Sequence, residues 1–167
     1  MSPGRVLYRL RQTANAVGSG PGREERQLVA RFLSPAEQRL FYEMNRLGQR
    51  HGLNVCRALL AEGCQERNLL KVALLHDVAK GRVSLWQRGI NVILETWAPG
   101  LLERWAQGNA PGWRRSLGII VHHAQQGAEL VAAAGASPRV VSLIRLHHAS
   151  DVNDPALQLF QAADGRN

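Results

Sequence analysis

From Ser34 onward the apolar positions recur at intervals of three and four, the period of a helix with one buried face. Ser34-Pro35-Ala36-Glu37 reads as a helix start, with Ser as N-cap, Pro at the first helical position and Glu placed to close a capping box. Leu40, Phe41, Met44 and Leu47 follow at helical spacing. A break near Gly48 leads into a second helix carrying His51, Val55, Leu59 and Leu60, which Gly63 ends. Asn68 to Val78 is apolar on nearly every face, through Leu69, Leu70, Val72, Ala73, Leu74 and Leu75. That pattern predicts a central, fully buried helix. It runs directly into His76-Asp77.

All four tryptophans (86, 97, 105 and 113) fall in residues 81 to 114, where Pro99-Gly100 and Pro111-Gly112 break the chain into two shorter predicted helices. The tryptophans there read first as core packing, with a lid or base-stacking platform as the rival. A further helix begins at Leu117 and reaches His123, and a separate one covers Gln125 to Ala134, stopped by Gly135. Ser137-Pro138 and Asp154-Pro155 repeat the cap-and-proline start, opening helices through His148 and through Asp164. No segment alternates with β-branched enrichment, so the expected fold class is all-α. Residues 1 to 17 show only weak periodicity, and Gly18-Ser19-Gly20-Pro21-Gly22 is a flexible breaker. The expected organisation is a basic arm over 1–22 and one domain over 23–167, a length that suits a single core.

Composition narrows the classes. Apolar residues make up 45% and charged residues 20%, the balance of an ordinary globular domain. Unbroken apolar runs such as Val72 to Leu75 are far below the ~20 residues of a membrane span. No apolar block with a cleavage site follows the N-terminal arginines, so neither membrane nor secretion is expected and the expected location is the cytoplasm. Cys56 and Cys64 lack a CxxC spacing and read as free thiols. The net charge of +8 favours polyanions: nucleotides, phosphate esters or nucleic acid, the last through Arg5, Arg9 and Arg11 of the arm.

The candidate chemistry lies in six histidines, at 51, 76, 122, 123, 147 and 148. His147 and His148 follow Ile144 by three and four residues and share its inward face. Asp164 lies four after Phe160 and seven after Leu157, so a carboxylate sits on an apolar stripe. His51 aligns with Val55 and Leu59, and His123 with Gly127 and Leu130. Inward imidazoles and carboxylates are costly unless paired or bound to metal. Any one alone reads as a satisfied core hydrogen bond, but no lysine or arginine is expected at a comparably central position. One shared metal centre accounts for the set, and imidazole with carboxylate but no thiolate suits Fe, Mn, Zn, Ni or Co better than a structural zinc. Arg114, Arg115 and Arg145 are candidate phosphate contacts, against a solvated-surface reading.

In that order the residues resemble the HD superfamily of phosphohydrolases. Ala73-Leu74-Leu75-His76-Asp77-Val78-Ala79-Lys80 is similar to the family's "LLHDIGK" segment, His123-Ala124-Gln125-Gln126-Gly127-Ala128-Glu129-Leu130 to its "HPxxGAxL" segment, and Ala163-Asp164 to the "AD" pair that closes the domain. The likeness spans residues 41 to 164. It implies a single HD-type helical bundle with the metal site between helices. By the same resemblance, His51, His76, Asp77 and Asp164 bind a first divalent ion. His123, His147 and His148 bind a second in binuclear members, with Asp77 bridging. Asp77 and Lys80 are the implied catalytic residues, with Lys80 touching substrate phosphate or else only favouring the negative end of its helix, while His122 is a substrate or outer contact or else a surface residue. Ala79 replaces a usual glycine and Ala124 a usual proline. No "GYP" element follows His147-His148, which counts against the HD-GYP branch and leaves diadenosine polyphosphate hydrolases open.

The implied activity is that of a phosphomonoesterase or phosphodiesterase acting on a nucleotide or dinucleotide through a metal-activated water. A non-catalytic regulatory protein that binds metal and nucleotide, and a nucleic-acid-binding protein on an HD scaffold, are the rival readings. Substrate identity, the number of ions and oligomeric state are left open by the sequence.

Overall fold

The computed structural model describes residues 20–82 and 113–167, with side chains described for 20–80 and 123–167. Residues 83–112, with the tryptophans at 86, 97 and 105, and the arm through residue 19 lie outside the described residues, and with them most of the stretch 81 to 114 in which two helices are expected. The described chain forms seven α-helices and one 3-10 turn, with no strand among the described residues. In chain order these are α1 Arg23–Phe32, α2 Pro35–Glu43, α3 Arg46–Ala61, α4 Arg67–Leu75, the 3-10 turn Val78–Arg82, α5 Trp113–Ala133, α6 Pro138–Leu146 and α7 Pro155–Asp164. The all-α expectation holds. No described helix is long and apolar enough to cross a membrane.

The architecture is organised around α4. Its Leu69, Leu70, Val72, Ala73, Leu74 and Leu75 are all buried, and α1, α2, α3, α6 and α7 all pack on it. Around it gather Leu53, Val55 and Leu59 of α3, Val140, Leu143 and Ile144 of α6, and Leu157, Phe160 and Ala163 of α7. Full burial of each large apolar side chain contributes roughly 1.5–3 kcal/mol, so a helix with six buried apolar residues is the natural centre of the fold. One charged pair interrupts this apolar surface. Glu37 of α2 is buried and accepts from the Lys71 ammonium of α4 through both carboxylate oxygens at 2.7 Å. It also accepts from the Ser34 backbone N–H at 2.7 Å, while Ser34 Oγ accepts from the Glu37 N–H, so the expected capping box is present.

The other two proline-led starts are also capped, by Ser137 and Asp154. Gly63 and Gly135, each at φ +82°, take the left-handed conformation that ends α3 and α5. Five boundaries differ from expectation, the first being that α5 begins at Trp113, four residues before the expected Leu117. The break expected near Gly48 lies between Met44 and Asn45, because the Asn45 side chain caps α3 by accepting from the Gly48 N–H at 2.9 Å. The segment expected to stay helical to Val78 leaves the α-helix after Leu75 and tightens into the 3-10 turn. The helix expected through His148 stops at Leu146, with His147 as C-cap. The two helices expected either side of Ala124 are one continuous α5, since nothing between His123 and Gln125 breaks a helix. A seventh helix, α1, was not expected from its pattern. Its start rests on the Glu25 carboxylate accepting from the Gly22 N–H at 2.7 Å, with no side chain on the capping residue itself.

Candidate metal centre

The first half of the site forms where α3, α4 and α7 meet. His51 lies on α3 beside Gly52, and a Cβ on Gly52 would stand 3.0 Å from the Ala73 carbonyl and 3.1 Å from that of Leu74. Glycine is what lets the two backbones approach and brings His51 to the end of α4. Gly52→Val should therefore push the helices apart, costing about 1–3 kcal/mol by overpacking and weakening divalent-ion binding. Thermal denaturation with metal titration checks this, and an unchanged melting temperature would refute the close-packing account.

His76 is the C-cap of α4 and Asp77 sits in the turn that follows. The His76 Nδ1 lies 3.2 Å from the Ala73 carbonyl, which can only accept, so Nδ1 carries a proton and Nε2 is the ring atom that faces the cluster. That Nε2 is 3.4 Å from Asp164 Oδ1 and 3.7 Å from Asp77 Oδ1. Asp164, the last residue of α7, also places Oδ1 2.8 Å from His51 Nε2. His51, His76 and Asp77 each offer one ligand atom, all within 4.8 Å of one another.

The second half joins α5 to the end of α6. His123 Nε2 is 3.2 Å from His147 Nε2 and 2.9 Å from His148 Nε2, and these three residues also offer ligand atoms within 4.8 Å of one another. His147 donates Nδ1–H to the Ile144 carbonyl at 2.6 Å, the same orienting bond His76 makes one helix away. Burial pulls the His147 imidazole down to about 3, so it is neutral, with a lone pair on the Nε2 that faces the cluster. Burial, helped by the Lys80 ammonium, also lowers the pKa of His148. Neutral imidazoles oriented by second hydrogen bonds are the form in which histidine binds metal.

Asp77 ties the halves together. Its Oδ1 is 3.8 Å from His123 Nε2 and 3.7 Å from His76 Nε2, and is approached by Lys80 Nζ at 2.9 Å. Although buried, this oxygen accepts no well-aligned hydrogen bond. Burial alone would raise the carboxyl pKa, but His76, Lys80 and His123 outweigh it and hold Asp77 well below the usual range. Asp164 is likewise lowered, hydrogen bonds from His51 and His76 overcoming its burial. The reciprocal holds for His76, where burial is overcome by Asp77 and Asp164 and the pKa rises. A buried carboxylate oxygen set among imidazole nitrogens, with the Lys80 ammonium on one side of it, is the donor set a divalent cation would complete. The residues present fit divalent metal.

Every one of the seven residues expected as ligands thus converges: His51, His76, Asp77, Asp164, His123, His147 and His148. Lys80 does too, which corrects the expectation that no cation lies comparably central. It follows Asp77 by three residues, and the 3-10 turn folds its side chain back over the carboxylate. The alignment of His123 with Leu130 also fails, because Leu130 is 41% exposed while Val131, one residue on, is buried. Arg145 is exposed on the last turn of α6, and no described hydrogen bond or ion pair joins it to the cluster. The side chains of Arg114, Arg115 and His122 lie outside those described. The residue the sequence pattern did not mark is Gln161. Its Nε2 donates to the His147 carbonyl at 3.1 Å and to that of Ala149 at 2.9 Å.

The family model of the HD domain matches residues 44–166, a span that contains every residue of the cluster. The chain belongs to the HD-domain family. No curated protein and no solved structure matches it. HD domains are typically metal-dependent hydrolases that bind divalent ions.

Proposed function

We propose that this HD protein is a metal-dependent phosphohydrolase that cleaves a phosphate ester of a nucleotide or dinucleotide. The observation that carries the reading is the placement of the buried Asp77 Oδ1 between two groups of imidazole nitrogens. His51, His76, Asp77 and Asp164 would hold one ion, and His123, His147 and His148 a second, with Asp77 facing both. The donor set suits Fe, Mn, Ni, Zn or Co. Divalent ions bound there supply Lewis acidity toward phosphate oxygens and make water acidic enough to act as a nucleophile near neutral pH.

The chain's own groups support that chemistry. The Nδ1 bonds of His76 and His147 lock ring orientation, so the donor atoms are set before substrate arrives. Lys80 lies beside Asp77 with its side chain 20% exposed, positioned to neutralise charge on an incoming phosphate. His51, Asp164 and His148 are less covered than His76 and His123, which leaves this side open to a ligand. The +8 net charge draws phosphate esters toward the protein.

The test is elemental analysis of purified protein followed by turnover measurements on a panel of nucleotides and dinucleotides. One to two equivalents of transition metal and metal-dependent release of phosphate or nucleotide are expected. Absence of metal after reconstitution would sink the site assignment. Full loading with ligand binding but no turnover would instead favour a regulatory role.

A further inference from the structure

The three-histidine half of the site raises a question of support. His147 has its own ring-orienting bond to Ile144, and His123 sits within the continuous helix α5. His148 follows the end of α6 and is exposed, and among the described residues its ring meets His123 and His147. The direction of its side chain is therefore set by the backbone on either side of it. That backbone is held at three points. Ala149 N–H donates to the Leu146 carbonyl at 2.8 Å, and Gln161 of α7 bridges the carbonyls of His147 and Ala149. The two Gln161 bonds straddle His148. Gln161 also lies one helical turn before Asp164, so the same face of α7 carries a carboxylate into the first group and an amide to the turn behind the second.

We propose that Gln161 is a positioning residue for the second metal ion, fixing the His147–Ala149 turn so that His148 Nε2 meets the Nε2 atoms of His123 and His147. The assignment rests on the two-ion reading above. Losing the amide leaves every ligand in the chain but frees the turn, so the effect falls on the three-histidine group alone. Loss of a group that supports metal ligands weakens affinity by about tenfold to hundredfold.

The experiment titrates Mn(II), with no substrate, into metal-free full-length protein by calorimetry. Wild type is compared with Gln161→Met, which keeps size without a donor, and Gln161→Glu, which adds negative charge without a donor. Wild type should bind two ions, and both variants should keep the first affinity while the second weakens about tenfold or more. The Glu variant separates geometry from electrostatics, since added negative charge alone would tighten cation binding. Metal-free melting temperatures show whether either variant has lost its fold, and one folded variant suffices.

Two unchanged affinities in a folded variant, equal weakening of both ions, or a single ion in wild type would each overturn the assignment. So would tighter second-ion binding in Gln161→Glu. A wild-type protein that binds two ions but cleaves no phosphate ester would defeat the proposed activity and leave Gln161 in its role. Conversely, an active wild type with an indifferent Gln161→Met would defeat only the role of Gln161.

Discussion

Asp77→Ala should give a folded protein that holds no divalent ion in either half of the cluster and has lost hydrolysis. The carboxylate is the anionic group facing both sets of imidazoles, its Oδ1 lying 3.7 Å from His76 Nε2 and 3.8 Å from His123 Nε2. Without it, His123, His147 and His148 offer a cation no anionic partner while the Lys80 ammonium, now deprived of its carboxylate, stands beside them. The first group keeps His51, His76 and Asp164 but loses half its carboxylate charge. A bound metal lowers a hydrolytic barrier by several kcal/mol, so with each ~1.4 kcal/mol worth tenfold, the rate should fall by at least about 10³. His148→Ala makes the contrast, since it touches only the three-histidine group and should lose only the second ion. Metal stoichiometry and phosphate release measured on the same samples decide both. Two retained equivalents in Asp77→Ala would remove it from the bridging position. Unchanged stoichiometry and activity in His148→Ala would reduce the site to one ion on His51, His76, Asp77 and Asp164.

Much of the centre was legible because its residues sit where helix grammar is strongest. Ser34, Ser137 and Asp154 each cap a helix whose first residue is proline, and these starts fix the phase in which His147 and Asp164 reach the ends of α6 and α7. The largely apolar run Leu69–Leu75 of α4 announced a central helix that delivers His76 into the core. The failures have equally local causes. Gly22 caps α1 with no side chain of its own, so nothing before Arg23 signalled a start. Asn45 outcompeted Gly48 as the boundary because its side chain satisfies an orphan N–H of the next helix. Lys80 was missed as Asp77's partner because that meeting depends on the 3-10 turn, where residues three apart eclipse. Periodicity is blind to tertiary contacts. It cannot show that His51 meets Asp164 across a separation of 113 residues, or that an amide on α7 reaches the backbone of a turn after α6.

The largest stability effect should come from the charged pair that pins α2 to the central helix. The Glu37 side chain is 1% exposed and that of Lys71 18%, so Glu37→Met leaves an ammonium in a mostly apolar setting and opens the Ser34 capping box. Removing one partner of such a pair costs about 3–5 kcal/mol, which lowers the melting temperature by roughly 10 °C for a chain of this size. Adding Lys71→Met should recover most of that loss, because the stranded charge is then gone. The pair also gives wild type a specific acid sensitivity. Burial pushes the Glu37 carboxyl up, but hydrogen bonds from Lys71 and Ser34 outweigh it and the folded pKa lies below the ordinary value. A depressed folded pKa contributes stability that is fully present above the unfolded value of about 4.3 and disappears as pH falls through the folded one. Urea denaturation should therefore show wild type losing stability relative to the double variant as pH falls below the unfolded value of about 4.3. Parallel stability curves down to pH 3 would show that Glu37 contributes shape and no charge. Because Lys71 lies five residues before His76 on the same helix, the comparison also tells whether the metal centre depends on this pin. The double variant, with α4 still packed but uncharged at that point, should bind divalent ions as wild type does.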